Sequence, residues 1–497
     1  MKEQVRPLHF FTATYHPMSV RLAVVLIIAL GMSMPAPVWG NYREAFAEGD
    51  YGTALKELLP LAQKGDVGAQ FQLGVMYEYG RGVAQNYAEA ALWYRKAAEK
   101  GLPEAQYNLG LLYEEGRGVP KDFNEASAWY RKAADQGLAE AQYNLGIMYE
   151  EGRGVPKDFS EASAWYRKAA VQGLAEAQYA LAVRYENGEG VARNLSEAAK
   201  WYRKAADQGD VYAQNNLGNL YSNGRGVPKD YKEAARWYRK AADQGLAEAQ
   251  FNMGLIYEDG LGVAKNIAEA INWYRKAAEG GFTEAQYFLA VRYENGEGIA
   301  QNYEEALKWY QKAAEKGDSY AQNNLGSMYS NGRGVEQDYA KAMRWYRMAA
   351  EQGLSEAQYN LGVMYEEGLG VAQDHAEAVK WYRRAAEKGL SEAQYNLGIM
   401  YENGLGVSQN YTESAKWYFK AADKGLAEAQ YSLATLYHDG RGVPQDFVMA
   451  HLWYNLSASQ GNPNAAQSRN ELATMMTPAQ IAEAQRLARE WNKKEKR

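Results

Sequence analysis

The chain has 497 residues, 47% hydrophobic and 23% charged, with a formal net charge of −6 and no cysteine. Zero cysteine excludes a disulfide scaffold, a thiolate zinc site and a cysteine nucleophile. Mild acidity without basic blocks argues against a dedicated nucleic-acid binder, and low hydropathy beyond the N-terminus excludes a polytopic membrane protein.

Residues 1–40 read as an export signal. Lys2, Arg6 and Arg21 supply positive charge, and Leu22 to Met32 is an uncharged apolar run. Pro35 and Pro37 break it, and Val38-Trp39-Gly40 precedes a cut before Asn41. That order is secretory signal grammar. Met18 is an alternative start. An uncleaved anchor is the other reading, but the run is short for a bilayer. The expected location is therefore outside the cytoplasm, in the periplasm, with the extracellular space and a secretory lumen as alternatives. No membrane span is expected once the signal is removed.

Residues 41–68 are expected to form a capping helix pair that turns at Glu48-Gly49-Asp50-Tyr51. Tryptophan then recurs at 93, 129, 165, 201, 237, 273, 309, 345, 381, 417 and 453, each step being 36 residues. A fixed period of this size means stacked supersecondary units. With Ala69 as position 1, eleven repeats fill 69–464.

Each repeat predicts two helices. Apolar or small residues at positions 1, 5, 8 and 9 mark one face of a first helix. Gly-x-Gly-Val at 12–15 stops it, and both glycines stand in all eleven repeats. Position 18 is always Asp or Asn, as in Asp122 and Asn194, and position 21 is Glu in nine repeats. That spacing resembles a capping box at the start of a second helix. Gly at position 33, as in Gly137, ends that helix. Small residues at positions 6 and 22 allow close approach of the two helices. Trp at 25 and Tyr at 9 fill the space between them, which makes the tryptophans core residues rather than a carbohydrate platform. GxG lies between two helices with no strand before it, so a phosphate-loop reading is weak.

In Ala105 to Glu140 the pattern is Leu109-Gly110, Tyr113, Gly116-Arg117-Gly118-Val119, Asp122, Glu125-Ala126, Trp129-Tyr130, Ala133-Ala134 and Gly137. It resembles the Sel1-like repeat family, a relative of the tetratricopeptide repeat. The resemblance implies an all-α fold, a right-handed superhelical solenoid that serves as a scaffold or adaptor for protein complexes. Many bacterial members look exported. A cysteine-rich subset has bridged helix pairs; this chain departs from it, so properties peculiar to that subset do not carry over. After the repeats, 465–497 is expected to cap the array with a helix at Ala465–Met476, a Thr477-Pro478 start, a last helix to Trp491 and a basic tail.

A second face of the first helix offers a partner surface. Positions 3, 7, 10 and 11 share a side that avoids the core set, and the tetratricopeptide resemblance puts it on the concave wall. Position 3 is aromatic in nine repeats, including Tyr107, Tyr143, Tyr359 and Tyr395, and position 10 is Glu in eight. Tyrosine suits peptide recognition; the alternative is that these rings merely pack adjacent first helices. Two pairs of adjacent repeats, 177–248 and 285–356, lie 108 residues apart and break the motif alike. Arg184 and Arg292 replace an apolar residue, Tyr212 and Tyr320 follow, and Asn215 and Asn323 replace the aromatic at position 3. An arginine at a helix seam is costly unless paired. It is either paired in an Arg–Asp or Arg–Tyr contact between successive repeats, or used to bind a carboxylate or peptide terminus.

No chemistry stands out. Of five histidines, His9 and His16 leave with the signal, while His375, His438 and His451 lack ligand spacing. Carboxylates recur at surface and capping positions, so no catalytic pair can be singled out. No cofactor and no metal site are expected. The preferred reading is a non-catalytic envelope scaffold with an unidentified envelope protein or peptide as partner. The alternative is a peptidoglycan- or glycan-associated protein that modulates or performs cell-wall hydrolysis.

Overall fold

The computed structural model describes residues 45–46 and 48–495. The export signal expected over 1–40 lies outside them, as do Lys496 and Arg497 of the tail. Among the described residues there are 25 helices and no strand. Every helix from Tyr51 to Ser459 is thirteen residues long, and within Tyr51–Glu279 and within Thr283–Ser459 each packs against the next in sequence. The protein is an all-α solenoid. Its helices group into two compact bodies, one ending at Gly280 and one starting at Gly281.

The repeat is built from a first helix, here called A, and a second, B. In one example A is Pro103–Glu115 and B is Phe123–Asp135. Helix A thus starts two residues before the position-1 alanine. Its C-cap is Gly116 at φ 74°, followed by Gly118 at φ 70°. Both angles are left-handed, a region open to glycine. Gly118 also has a packing role. A Cβ there would overlap the backbone of Tyr87, at the start of the preceding B helix. Consecutive repeats therefore meet backbone to backbone at this turn.

Half of the expected capping box forms. Asp122 Oδ1 accepts the N–H of Asn124 at 2.8 Å and that of Glu125 at 3.1 Å. The reciprocal bond from Glu125 is missing because the Asp122 N–H already donates to the Tyr113 carbonyl at 2.9 Å. Glu125 instead accepts from Trp129 Nε1 at 3.1 Å. A complete box closes the array: Thr477 N donates to Gln480 Oε1 (2.9 Å), and Gln480 N donates to Thr477 Oγ1 (3.3 Å). That box starts the last helix, Pro478–Glu495, which packs on Phe447–Ser459.

The tight A–B contact is made by Tyr at position 26. The Tyr130 ring lies over Gly110, where a Cβ would come within 2.7 Å of it. Most repeat tryptophans are buried, while Trp201, Trp345 and Trp417 are partly exposed. A B-helix lysine caps many of their faces, as Lys132 does over Trp129 at 3.6 Å.

Candidate interaction surface on the A helices

The position-3 tyrosines pack on the position-26 tyrosines of their own repeats. Ring centroids are 5.7 Å apart for Tyr107–Tyr130, 5.7 Å for Tyr359–Tyr382 and 5.6 Å for Tyr395–Tyr418. Tyr107 and Tyr143 are buried, whereas Tyr359 and Tyr395 are half-buried. Rings in the same register thus differ in what they offer to a partner. Burial is the main cause that raises the Tyr359 and Tyr395 phenol pKa values, followed by the carboxylates Glu392 and Glu428 on the next A helices. Both phenols stay neutral at physiological pH.

Position 10 has a structural task that the sequence did not announce. Tyr130 donates its hydroxyl to Glu114 Oε2 at 2.6 Å, Tyr382 to Glu366 at 2.5 Å and Tyr418 to Glu402 at 2.6 Å. The other carboxylate oxygen faces the following repeat. Arg153 reaches Glu114 at 3.3 Å, Arg225 reaches Glu186 at 3.6 Å and Arg333 reaches Glu294 at 3.7 Å.

The two irregular arginines follow from this register. Arg184 lies 3.1 Å from Glu150 of the preceding repeat and 2.7 Å from Glu189 of its own. Glu189 stands where Arg153 and Arg225 stand in other repeats, so Arg184 supplies the cation from position 8 instead. Arg292 pairs with Glu297 in the same way. Both arginines are thus paired, but with glutamates rather than with the Asp or Tyr expected from the sequence. Arg184 borders an open groove of ≈ 1070 Å³, lined also by Tyr143, Tyr179, Tyr202 and Arg225.

Tyr212 and Tyr320 lean on the preceding position-3 rings, with centroids 6.2 Å from Tyr179 and from Tyr287. Asn215 Oδ1 accepts from Asn252 Nδ2 at 2.9 Å, and Asn323 Oδ1 from Asn360 Nδ2 at 3.0 Å. These bonds tie position 3 to position 4 of the next repeat. The recurrence of Asn at position 4 is the sequence signal for this contact. Asp210 and Asp318 are N-caps, accepting from Ala213 N at 2.7 Å and Ala321 N at 2.8 Å. Among the described residues no cluster of three potential metal ligands exists, and no helix is long and apolar enough to cross a membrane.

The Sel1 repeat model matches eleven consecutive blocks, from residues 67–102 to 427–462, and each block opens at the start of an A helix. The chain belongs to the Sel1 repeat family. The Sel1 array is similar to a solved protective antigen of uropathogenic Escherichia coli strains that displays an SLR fold. The two share 39% identity with a TM-score of 0.75, over 88% of this chain and 94% of that one. It is also similar to a Sel1 repeat protein from Oxalobacter formigenes, at 34% identity and a TM-score of 0.54, over 67% of this chain and 98% of that one. A comparison with curated protein sequences finds no match. Sel1 arrays are generally interaction scaffolds rather than catalysts.

Proposed function

We propose that this Sel1 array is a non-catalytic scaffold of the cell envelope that holds a partner protein or peptide on its A-helix face. The observation that carries the reading is the row of half-buried tyrosines at position 3, with Tyr359 and Tyr395 flanked by carboxylates. Large rings with one polar tip give contact area at low entropic cost. Thirteen-residue helices locked to their neighbours give the rigid platform such contacts need. The peptidoglycan alternative has weaker support, because most of the repeat tryptophans that could stack on sugars are buried. Placement outside the cytoplasm rests on the N-terminal signal grammar. A relative that acts as a protective antigen fits that placement, since antibody must reach its target.

Capture of partners from an envelope extract by the full chain tests the reading. A protein partner that survives moderate salt is expected. Retention on purified peptidoglycan with no protein partner would replace the scaffold by the cell-wall reading. Fractionation of the producing cell tests the location, with the chain expected among exported proteins.

A further inference from the structure

The A-helix face carries a charge register that runs from repeat to repeat. Each position-10 glutamate whose bond is described above gives one oxygen to a tyrosine of its own repeat. Arginines of the following repeat meet Glu114, Glu150, Glu186 and Glu294. Where position 10 is Ser222 or Ser330, which needs no cation, the following repeat supplies Leu261 or Leu369 in place of the arginine. The register is broken at two adjacent positions. Glu366 is followed by Leu405, as if it were a serine. Glu402 is followed by Arg441, but that side chain pairs with Asp439 at 3.1 Å. Among the described residues neither Glu366 nor Glu402 takes part in an ion pair.

Both glutamates are half-buried, and each keeps its Oε2 in the tyrosine bond described above. Each also neighbours the half-buried position-3 ring of its own helix, Tyr359 or Tyr395. The three helices Ser355–Glu367, Ser391–Asn403 and Ala427–Asp439 contain seven carboxylates and no Lys or Arg. A partly buried carboxylate beside a neutral aromatic face is a seat for a cation, by charge and by the ring quadrupole. The row is bounded. Ser330 precedes it, and His438 follows with its Nδ1 3.2 Å from Asp439.

We propose that Glu366 with Tyr359, and Glu402 with Tyr395, are twin seats for two Lys or Arg side chains of an extended basic peptide. This deepens the scaffold reading and rests on it. Neighbouring helices lie about 10 Å apart. An extended or polyproline-like chain advances about 3.1–3.3 Å per residue, so the two cations stand three residues apart. Leu405 is the position whose arginine would close the first seat, as Arg153 does beside Glu114.

Fluorescence polarisation with the full chain tests this. The probes are labelled nonapeptides with two arginines spaced two, three or four residues apart, and a citrulline version of the three-spaced peptide. The three-spaced arginine peptide should bind most tightly, weaken with salt and lose at least about tenfold in affinity in Leu405→Arg. That variant installs a pairing the fold already uses, and its thermal midpoint should not fall. Glu366→Gln with Glu402→Gln keeps an acceptor for both tyrosines and should abolish binding. Equal affinity for the citrulline peptide, no change in Leu405→Arg, or no binding at about 0.1 mM protein would each overturn the proposal. An envelope partner retained equally by Leu405→Arg would leave the scaffold reading standing and refute the twin seats alone.

Discussion

Lys388→Gln should stabilise the array. In most repeats the buried position-2 glutamine is satisfied twice. Gln178 Nε2 donates to the Ala170 carbonyl at 3.1 Å, and its Oε1 accepts from Gln208 Nε2 at 2.8 Å. Gln208 also reaches the Gly173 carbonyl at 2.9 Å. Where the B helix ends in lysine the pattern is half made. Lys388 donates to the Gly353 carbonyl, while the buried Gln358 Oε1 has no partner. A glutamine at 388 can keep the glycine bond and add the missing one. A neutral bond to a buried acceptor is worth about 1 kcal/mol net, and the lost lysine forfeits about 0.3–0.5 kcal/mol of helix-dipole attraction. The net gain is about 0.5–0.7 kcal/mol. A long array need not unfold in two states, so hydrogen exchange of amides in 353–390 is the proper assay. Protection there should rise about two- to threefold. The converse change, Gln352→Lys, removes the 2.8 Å bond to Gln322 and should lower protection by a similar factor. If Lys388→Gln is neutral or destabilising while Gln352→Lys is silent, the amide pair contributes nothing and the reasoning fails.

Three further outcomes follow from the geometry. Gly154→Ala places a methyl into the Phe123 carbonyl, whereas Gly137→Ala meets nothing within 4 Å and suffers only its φ of 97°. The second should cost about 1–2 kcal/mol and the first clearly more, as read by thermal melting. Arg184→Met leaves Glu150 and Glu189 unpaired at a partly exposed site and should cost about 1–3 kcal/mol. Adding Glu189→Arg recreates the usual register, so recovery of the melting temperature is expected, and its absence would count against the pairing account. Burial and the nearby Glu176 push the Asp210 carboxyl up to about 6. Its folded pKa is raised, so the associated stability is present below its ordinary value near 4 and is lost as pH rises through 6. Asp210→Asn keeps a cap for Ala213 and should flatten the fall in stability between pH 4 and 7, measured by urea denaturation at each pH.

Spacing alone made the helix pairs, the glycine stops and the Asp122-type caps legible, because each is set by backbone rules within one repeat. The Glu125 half of the capping box does not form, although its spacing fits. Its target N–H is taken by the Tyr113 carbonyl, which comes near only once the loop has closed. The role of Tyr130 is legible only in part: a tyrosine stands at that position in every repeat, with a small residue at position 6. The task of Arg184 needed the stack itself, since its partner Glu150 belongs to the previous repeat. A trace of it was visible in the exchange of Arg184 and Glu189 for the ordinary apolar residue and arginine. Whether a position-3 ring is buried, like Tyr143, or half-buried, like Tyr395, was not legible at all, because the two sit in the same local sequence.

The contact of Gly118 with the Tyr87 backbone says something about how such a chain can grow. It involves main chain on one side and a missing side chain on the other, so it fits whichever repeat comes before. The carboxylate-to-arginine pairs between repeats are not so tolerant, because each depends on what its neighbour carries. Insertion or loss of a whole repeat is therefore neutral for the backbone but edits the charge sequence at the junction. Copying a block with its own neighbours inside it, as the paired irregular repeats 108 residues apart record, lengthens the array while keeping the interior pairs matched. Mismatches then collect at block edges, and there a lineage can acquire an unpaired charge and, with it, a new partner.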